Sequence, residues 1–324
     1  MYNDIRIEKG LYSITGKNFT QALTDLDPDS QYENTSLKNL DAFERQLKRF
    51  DIRTKGLNCD RVEKFFLSTE SAVLFPEYVR RMIKAGMDEA ALTGEICAAV
   101  SYTDSVDFRG LSVTNATSSA AAEGNSLPET KVRLATTPKA LTKFAGKLSC
   151  SYESVRKQRL ETFGVILKSM GARISRDINK LCLEEISENA RSIAVSGADF
   201  SYSDLTNFWA GMNQYDMTTM FCTPDIMARI MAMNEMRLIA CDFMTNGFAR
   251  TPYGVTIVKM PFNSDGESLV VGIDKNCAAE MIFGTDIIVD SDKLISTQCD
   301  EIACSVMVGF SVINQDAVRK MTFE

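Results

Sequence analysis

Residues 151–190 constrain the fold more than any other stretch, because one apolar stripe runs through them without a proline. Its members recur mostly at steps of three and four, the spacing that places side chains on one face of a helix. They are Leu160, Phe163, Leu167, Met170, Ile174, Ile178, Leu181 and Ile186. The pattern predicts a helix about 50 Å long over residues 158–190, a spine across an elongated subunit. A long helix in an ordinary α/β core has the same periodicity.

Two glycines interrupt this stripe. Gly164 and Gly171 each cost a helix up to about 1 kcal/mol relative to alanine. They therefore predict a bend in the helix, or a second backbone that crosses it closely.

Histidine is absent from all 324 residues. Its absence removes the commonest general base, the commonest metal ligand and every Ser-His or Cys-His nucleophile pair. The nine cysteines are scattered without CxxC spacing, and the N-terminus lacks an apolar signal core, so we expect reduced thiols in a cytosol. No apolar run approaches the roughly 20 residues that cross a bilayer. We predict no catalytic residue, no cofactor, no metal site and no membrane partner.

Charge is segregated along the chain. Residues 131–180 carry twelve Lys/Arg against three Asp/Glu, whereas residues 181–324 carry nine against twenty. This distribution favours subunits that meet basic face to acidic face, although solvated helix faces produce the same pattern. The net charge of −7 is not typical of a protein that reads a nucleic-acid sequence.

The first half of the chain predicts helices and a projecting ribbon. Residues 1–35 are weakly periodic and predict an extended arm, followed by an amphipathic helix capped by Ser36. That helix needs a partner surface, which its own subunit can also supply. Pro76 is suited to the first turn of the next helix.

The segment from residue 94 to residue 149 predicts a long hairpin. Two strands precede a small, polar stretch at 114–127, and an alternating strand follows it. Because an isolated two-stranded ribbon is marginal in water, we expect the hairpin to lie against a neighbouring subunit. A disordered surface loop is the alternative for the tip.

The second half predicts a compact α/β unit. Ser203 is a candidate helix cap, residues 217–222 are a short strand, and Thr223-Pro224 opens a further helix through residue 236. The tail predicts strands at 254–260, 268–273, 278–283, 285–291 and 301–313.

Four segments in this order resemble a tailed-phage major capsid protein of the Hong Kong 97 type. STESAVLFPEYV, at 68–79, is similar to the segment that joins the arm to the body of that family. Residues 121–153 are similar to the descending limb of its extended loop, with Glu-Gly, an alternating strand and a Ser-x-Glu helix start. The long helix matches the family's spine, and residues 281–321 are similar to its closing strands. The resemblance covers roughly residues 36–320.

The resemblance implies an α+β fold with an N-terminal arm, an extended β-hairpin loop, a long spine helix in a peripheral domain and a compact axial α/β domain. We place these parts at 1–60 (arm with amphipathic helix), 61–93 (connection and helix), 94–149 (extended loop), 150–195 (spine helix), 196–310 (axial domain with returning peripheral strands) and 311–324 (C-terminal tail).

The resemblance also implies a structural protein, not an enzyme. It would self-assemble as pentamers and hexamers into an icosahedral head around double-stranded DNA, bound without sequence specificity. Its expected partners are a scaffold, a portal and, in some heads, a decoration protein. Its expected location is the virion, assembled in the host cytoplasm. The short arm does not predict a cleaved scaffold domain, and we assign no Lys–Asn crosslink.

Two alternatives remain at this stage. One is an encapsulin-like compartment that holds a protein cargo, and the other is a histidine-free cytosolic enzyme with Asp/Glu/Cys chemistry. The enzyme predicts a deep pocket with strongly shifted carboxyl pKa values.

Seven charged residues are the candidates for inter-subunit contacts. The hairpin provides Glu123, Lys131 and Arg133, and the start of the spine provides Glu153, Arg156, Lys157 and Arg159. Exposed ion pairs contribute about 0–1 kcal/mol each, so we expect no single residue to be decisive.

Overall fold

The structure is a computed structural model that describes residues 2–114, 123–124, 126–195, 200–212, 214–238, 249–260 and 268–323. Its helices and strands are mixed along the chain, which confirms the α+β class. The chain divides into two compact units. The first comprises Met1–Ala90, Ala145–Ile174 and Ile287–Ser305, and the second comprises Ala91–Phe144, Ser175–Asp286 and Val306–Glu324.

The N-terminal residues fold into short helices, so the prediction of an extended arm over residues 1–35 is wrong. Helix α1 (Phe19–Leu26) begins at a reciprocal capping box between Asn18 and Gln21. Helix α2 (Ala42–Arg49) is capped by Asp41 through a second box, not by Ser36 as predicted. The caps satisfy backbone N–H groups that a helix leaves unpaired. The apolar face of α2 is buried against α1 and α3, within its own unit.

Helix α3 (Thr69–Ala90) begins seven residues before Pro76, so the prediction that Pro76 opens it is wrong. Ser68 caps the helix, and its Oγ accepts from the Ser71 N–H at 3.1 Å. Pro76 removes one backbone donor from the second turn. The helix nevertheless continues, because Leu74 and Phe75 on this turn are buried in the core of the first unit.

The predicted spine is two helices. Helix α5 (Tyr152–Lys157) ends at Gln158, whose backbone is extended, and α6 (Leu160–Asn189) follows. The 30 residues of α6 rise about 45 Å, which confirms a long helix but not a continuous one from Ser151. The predicted stripe is buried except at Met170 and Leu181, which are half-buried. Cys182 and Leu183 are buried in place of Leu181.

Two helices of the first unit cross at glycines, which confirms the predicted close approach at Gly171. A Cβ on Gly171 of α6 would lie 2.0 Å from the Ile83 carbonyl oxygen of α3. A Cβ on Gly86 of α3 would lie 2.0 Å from the Lys168 carbonyl oxygen of α6. Each helix therefore lacks a side chain where the other backbone passes.

The predicted hairpin is present. The strands of this segment are β1 (Ala99–Tyr102), β2 (Asp107–Phe108), β3 (Leu111–Thr114), β4 (Lys131–Leu134), β5 (Lys139–Ala140) and β6 (Thr142–Ser151), and the middle four form the hairpin. Strand β2 pairs antiparallel with β5, and β3 pairs antiparallel with β4. Most of the predicted flexible tip, residues 115–122 and 125, lies outside the described residues.

Two long strands close the chain. Strands β12 (Ala279–Leu294) and β13 (Cys299–Val312) belong to a four-stranded sheet with the order β1-β12-β13-β6. The two strands predicted at 278–291 are thus one strand. It pairs in parallel with β1, which lies far away in the sequence.

A six-stranded sheet forms the core of the second unit, in the order β7-β14-β11-β8-β10-β9. These strands are β7 (Arg191–Val195), β8 (Thr219–Cys222), β9 (Ala249–Arg250), β10 (Thr256–Lys259), β11 (Leu269–Ile273) and β14 (Val318–Phe323). The helices of this unit are α4 (Thr93–Ile96), α7 (Tyr202–Ala210), α8 (Pro224–Ala232) and α9 (Asn234–Leu238).

The ends of these helices can be compared with the ends predicted from the sequence. The Thr223-Pro224 start of α8 is confirmed. Helix α7 is capped by Ser201 through Asp204, so the predicted cap at Ser203 is wrong. The predicted single helix through residue 236 breaks at Met233, where the backbone is extended. In the described part of the chain, no helix combines the length and the apolarity needed to span a membrane.

Candidate assembly surfaces

The β3–β4 ribbon has one apolar and one polar face. Its register pairs Leu111 with Leu134, Ser112 with Arg133, Val113 with Val132 and Thr114 with Lys131. Side chains alternate between the two faces of a strand. Leu111, Val113, Val132 and Leu134 therefore share one face, defined here as the apolar ribbon face. The opposite face carries the two hydroxyl side chains and the two bases.

The apolar ribbon face is largely open to solvent. Val132 is 62% exposed, Leu134 63% and Leu111 41%, whereas Val113 is half-buried. The Val113 N–H donates to the Ile313 carbonyl at 3.0 Å and connects β3 to the segment after β13 in the same unit. In the described part of the chain, no third strand pairs with this ribbon.

The base of the hairpin, in contrast, is packed. A Cβ on Gly309 would lie 2.3 Å from the Phe108 ring, and a Cβ on Gly284 would lie 2.4 Å from Leu141. Phe108 and Leu141 thus rest on the bare backbone of β13 and β12. The hairpin is anchored at β2 and β5 and exposed at β3 and β4.

The seven predicted contact residues are all exposed, and they fall into two groups. Glu123, Lys131 and Arg133 belong to the second unit, and the Lys131 Nζ lies 3.7 Å from Glu129 Oε2. The other four belong to the first unit. The two groups therefore belong to different units. Their role in contacts between subunits stays a prediction.

Helix α5 presents the second group. Its charges follow the helix dipole, with Glu153 in the first turn and Arg156 and Lys157 in the last. Val155 is buried and anchors the helix. Arg159 lies two residues after the end of α5 and forms a β-bridge to Arg61. The result is an exposed basic surface that consists of Arg61, Arg156, Lys157 and Arg159.

Part of the basic stretch at 131–180 is already neutralised within the chain. Lys139 pairs with Glu185, and Lys168 pairs with Glu89. The Lys147 Nζ lies 2.6 Å from Glu301 Oε1. These lysines have partners in their own subunit, so a basic-to-acidic interface depends on the other bases of the stretch.

Sequence reasoning missed a buried charged cluster beneath the N-terminal helices. Arg45 is fully buried, and its Nε lies 2.6 Å from Asp27 Oδ2. Its guanidinium also stacks on the Tyr32 ring. These contacts fasten the segment after α1 to α2. Periodicity cannot reveal such a cluster, because its members lie 18 residues apart.

A separate group of charged residues connects α1 to α3. The buried Glu77 carboxylate accepts from the Thr20 hydroxyl and from Arg80 and Arg81. Burial raises the pKa of the Glu77 carboxyl, but the hydrogen bonds from Arg80 and Thr20 outweigh it and hold that pKa below its ordinary value.

Two cavities of the described residues are candidates for an acid–base site. One, of about 280 Å³, is lined by residues that include Arg191, Asp316 and Arg319. Another, of about 190 Å³, is lined by residues that include Tyr78, Glu161 and Gly164.

Among the described residues, the pKa is lowered at Asp51, Glu77 and Asp225, and none of these carboxyl groups lines either cavity. A hydrogen bond from Lys64 lowers the pKa of Asp51. At Asp225 burial raises the pKa, and hydrogen bonds from Ser268 and Thr223 more than offset it. Because all three pKa values are lowered, these carboxyl groups are ionised at neutral pH and have no proton to donate.

No protein-family model and no curated protein matches the sequence. Solved structures do match. A virus-like particle from Pyrococcus furiosus aligns with a TM-score of 0.55 and 14% identity, over 76% of this chain and 98% of that chain. The capsid of a native GTA particle aligns with a TM-score of 0.51 and 11% identity, over 74% and 90%. The capsid of Cyanophage P-SCSP1u aligns with a TM-score of 0.50 and 14% identity, over 71% and 87%.

The chain has the Hong Kong 97-type capsid fold. This finding confirms the fold expected from the order of the hairpin, the long helix and the closing strands. The Hong Kong 97 fold is present even though the sequence identity is at most 14% for these three structures. The proposed domain boundaries stay a prediction.

Proposed function

We propose that this chain is the major capsid protein of a tailed bacteriophage. Copies of it would assemble as pentamers and hexamers into an icosahedral head around double-stranded DNA. The observation that carries the proposal is the hairpin, which is packed at its base and leaves an apolar face open along β3 and β4. The capsid fold supports this choice over an ordinary α/β enzyme.

In the assembled shell, neighbouring copies of the chain cover the apolar ribbon face. Burying apolar surface contributes about 25 cal/mol per Å². One ribbon therefore contributes little free energy of association, and a closed shell adds up this contribution over many copies. Neither a catalytic group nor a cofactor is needed for this function, so the proposal is a structural role in the virion.

The charge of the chain suits a container for DNA. Phosphate contacts require Lys and Arg, and a chain with a net charge of −7 holds packaged DNA loosely and without sequence specificity. We also propose that a scaffold and a portal assist assembly in the host cytoplasm, and that a decoration protein binds outside.

The first experiment is negative-stain electron microscopy of the purified chain, together with its mass from light scattering. Expression alone and with the proteins encoded beside it covers a requirement for scaffold. Closed shells, tubes, or rings of five or six support the proposal. A small oligomer under both conditions would overturn it in favour of the enzyme.

The contents of the particles separate a phage head from a cargo compartment. Nuclease-protected DNA in particles made with the neighbouring proteins is expected of a head. Particles that contain a co-purified protein and no DNA would instead indicate an encapsulin-like compartment.

The seven exposed charges are proposed as inter-subunit contacts. Reversal of Arg133 to Glu should reduce the yield of particles by less than tenfold, since an exposed pair contributes about 0–1 kcal/mol. Deletion of residues 114–130 should impair assembly far more than folding. Normal particles from the deletion variant would refute the assembly role of the hairpin.

A further inference from the structure

The cavity of about 280 Å³ lies within the second unit, and bases outnumber acids among the residues that line it. Its charged residues are Arg191, Asp316 and Arg319, and Gln214 and Tyr215 add polar side chains. Two bases and one acid leave an excess of one positive charge in the lining.

The two arginines are direct neighbours in the six-stranded sheet. Strands β7 and β14 run parallel, and their register pairs Arg191 with Arg319. Two residues further along each strand, Ile193 is paired with Met321, and both lie in the apolar core that also contains Phe208 of α7. Because side chains alternate along a strand, the arginines share the face of the sheet that α7 covers.

The two arginines differ in their partners. Asp316 comes just before β14, and its Oδ1 lies 2.5 Å from Arg191 Nη2. This contact offsets one of two like charges that repel each other on neighbouring strands. Among the described residues, the guanidinium of Arg319 has neither an ion pair nor a hydrogen bond.

The end of α7 fixes Arg319 in the cavity. A Cβ on Gly211 would lie 2.1 Å from Arg319 Nη1, so the guanidinium occupies space that only glycine leaves open. The carbonyl groups at a helix C-terminus attract a cation, which favours this position. Arg319 is half-buried, and a guanidinium has five N–H donors. A ligand with several acceptor oxygens would satisfy them.

We propose that this cavity binds a phosphate group, either as inorganic phosphate or as part of a small phosphorylated molecule. The planar fork of arginine binds phosphate oxygens through paired N–H donors. A phosphate between Arg191 and Arg319 offsets the excess charge. It also joins β7, the edge strand of the sheet, to β14. The site is independent of the proposed function.

The test is isothermal titration calorimetry of the full chain with inorganic phosphate, in a chloride buffer of constant ionic strength. We expect one saturable site per chain. We also expect the thermal midpoint to rise with phosphate concentration, because a ligand of the folded state stabilises it. Acetate at the same ionic strength should produce neither effect. Unsaturated heats that are the same in every variant would indicate an adventitious ion only and overturn the proposal.

A second titration, with glycerol phosphate, separates the two sources of the phosphate group. Tighter binding of glycerol phosphate supports a small phosphorylated molecule as the ligand. Tighter binding of inorganic phosphate supports the free ion.

Variants of opposite sign assign the binding to these residues. Arg319→Gln should weaken phosphate binding about tenfold, because it removes charged hydrogen-bond donors. Asp316→Asn should tighten binding, because it removes the negative charge of the lining and releases Arg191. A role in folding alone predicts no gain of affinity.

The matched control is Lys320→Gln. It removes the same charge from the next position of β14, whose side chain lies on the other face of the strand and does not line the cavity. It should leave the affinity unchanged. Arg319→Lys covers the case in which Arg319→Gln fails to fold, and it should also weaken binding because lysine lacks the fork. Parent affinity in the folded Arg319 variants would overturn the proposal.

This result can be distinguished from the outcome of the assembly experiment. Saturable phosphate binding by a chain that forms no shells supports the site and contradicts the proposed function. Shells from a chain that binds no phosphate do the reverse.

Discussion

The β3–β4 ribbon and strand β8 are both β-structure in the same unit, but they meet opposite conditions. Every residue of β8 is buried, between β11 on one side and β10 on the other. Every residue of β4 is exposed, and β3 is its single described neighbour. The side chains of β8 are buried within one chain, whereas the ribbon leaves apolar side chains in water.

This difference separates two roles for apolar residues. A two-stranded ribbon is marginal by itself in water, so the apolar ribbon face contributes little to folding. We propose that this face instead makes contacts between copies of the chain. Substitutions in β8 should therefore act on folding, and substitutions in β3 and β4 should act on assembly.

The largest effect on folding is expected in β8. Phe221→Ala should lower the free energy of unfolding by about 3–5 kcal/mol, because it leaves a cavity in a fully buried strand. Urea denaturation of the unassembled chain measures this change. Leu134→Ala on the ribbon is the matched control and should change the same quantity by less than about 0.5 kcal/mol. Equal losses at the two positions would break the comparison.

The same comparison of packed and open positions can be made in helices, at the glycines where α3 and α6 cross. Gly171→Ala should cost about 1–3 kcal/mol, because the new methyl group would meet the Ile83 carbonyl oxygen of the packed helix α3. The control is Gly94→Ala in α4, where the added Cβ would contact nothing within 4 Å. Thermal unfolding compares the two variants. An unchanged midpoint for Gly171→Ala would show that α3 and α6 do not approach so closely.

The buried carboxylate of Glu77 predicts a pH dependence of folding. Its pKa in the folded chain lies below the ordinary value of 4.5, so the unfolded chain binds the proton more readily. The stabilisation is present above pH 4.5 and is lost as pH falls through the folded pKa. Below pH 4.5, the free energy of unfolding obtained from denaturation curves should depend less steeply on pH for Glu77→Gln than for the parent chain. Phe221→Ala should lower stability without a change in that slope.

The smallest effect on folding is expected on the apolar ribbon face. The double variant Val132→Ser/Leu134→Ser should change the free energy of unfolding by at most about 0.5 kcal/mol, because both side chains are mostly exposed. Urea denaturation checks this value. A loss as large as that of Phe221→Ala would mean that the ribbon is part of the core.

Local rules predicted the parts of the fold that local sequence determines. The periodicity of α6, the cap at Thr223-Pro224 and the alternation in β4 were sufficient. Helix α1 was missed, and α2 was predicted with the wrong cap, although their capping boxes, Asn18 with Gln21 and Asp41 with Glu44, are visible in the sequence. Helix α1 has only eight residues, too few for periodicity to distinguish it from loop.

Contacts between distant residues were beyond sequence reasoning. The parallel pairing of β1 with β12 and the burial of Arg45 beside Asp27 depend on the assembled fold. For the candidate surface, the charged residues were recognised as exposed. The apolar ribbon face was not, because it appears only when the register places Leu111 opposite Leu134.

Particle formation by the ribbon variant tests the central claim most directly. Val132→Ser/Leu134→Ser, the parent chain and the opposite-face control Ser112→Ala/Thr114→Ala are expressed with the neighbouring proteins and counted by electron microscopy. We predict shells from the parent and the control, and a folded but unassembled chain from the apolar-face variant. Shells of normal size and yield from that variant would contradict the claim that this face holds subunits together.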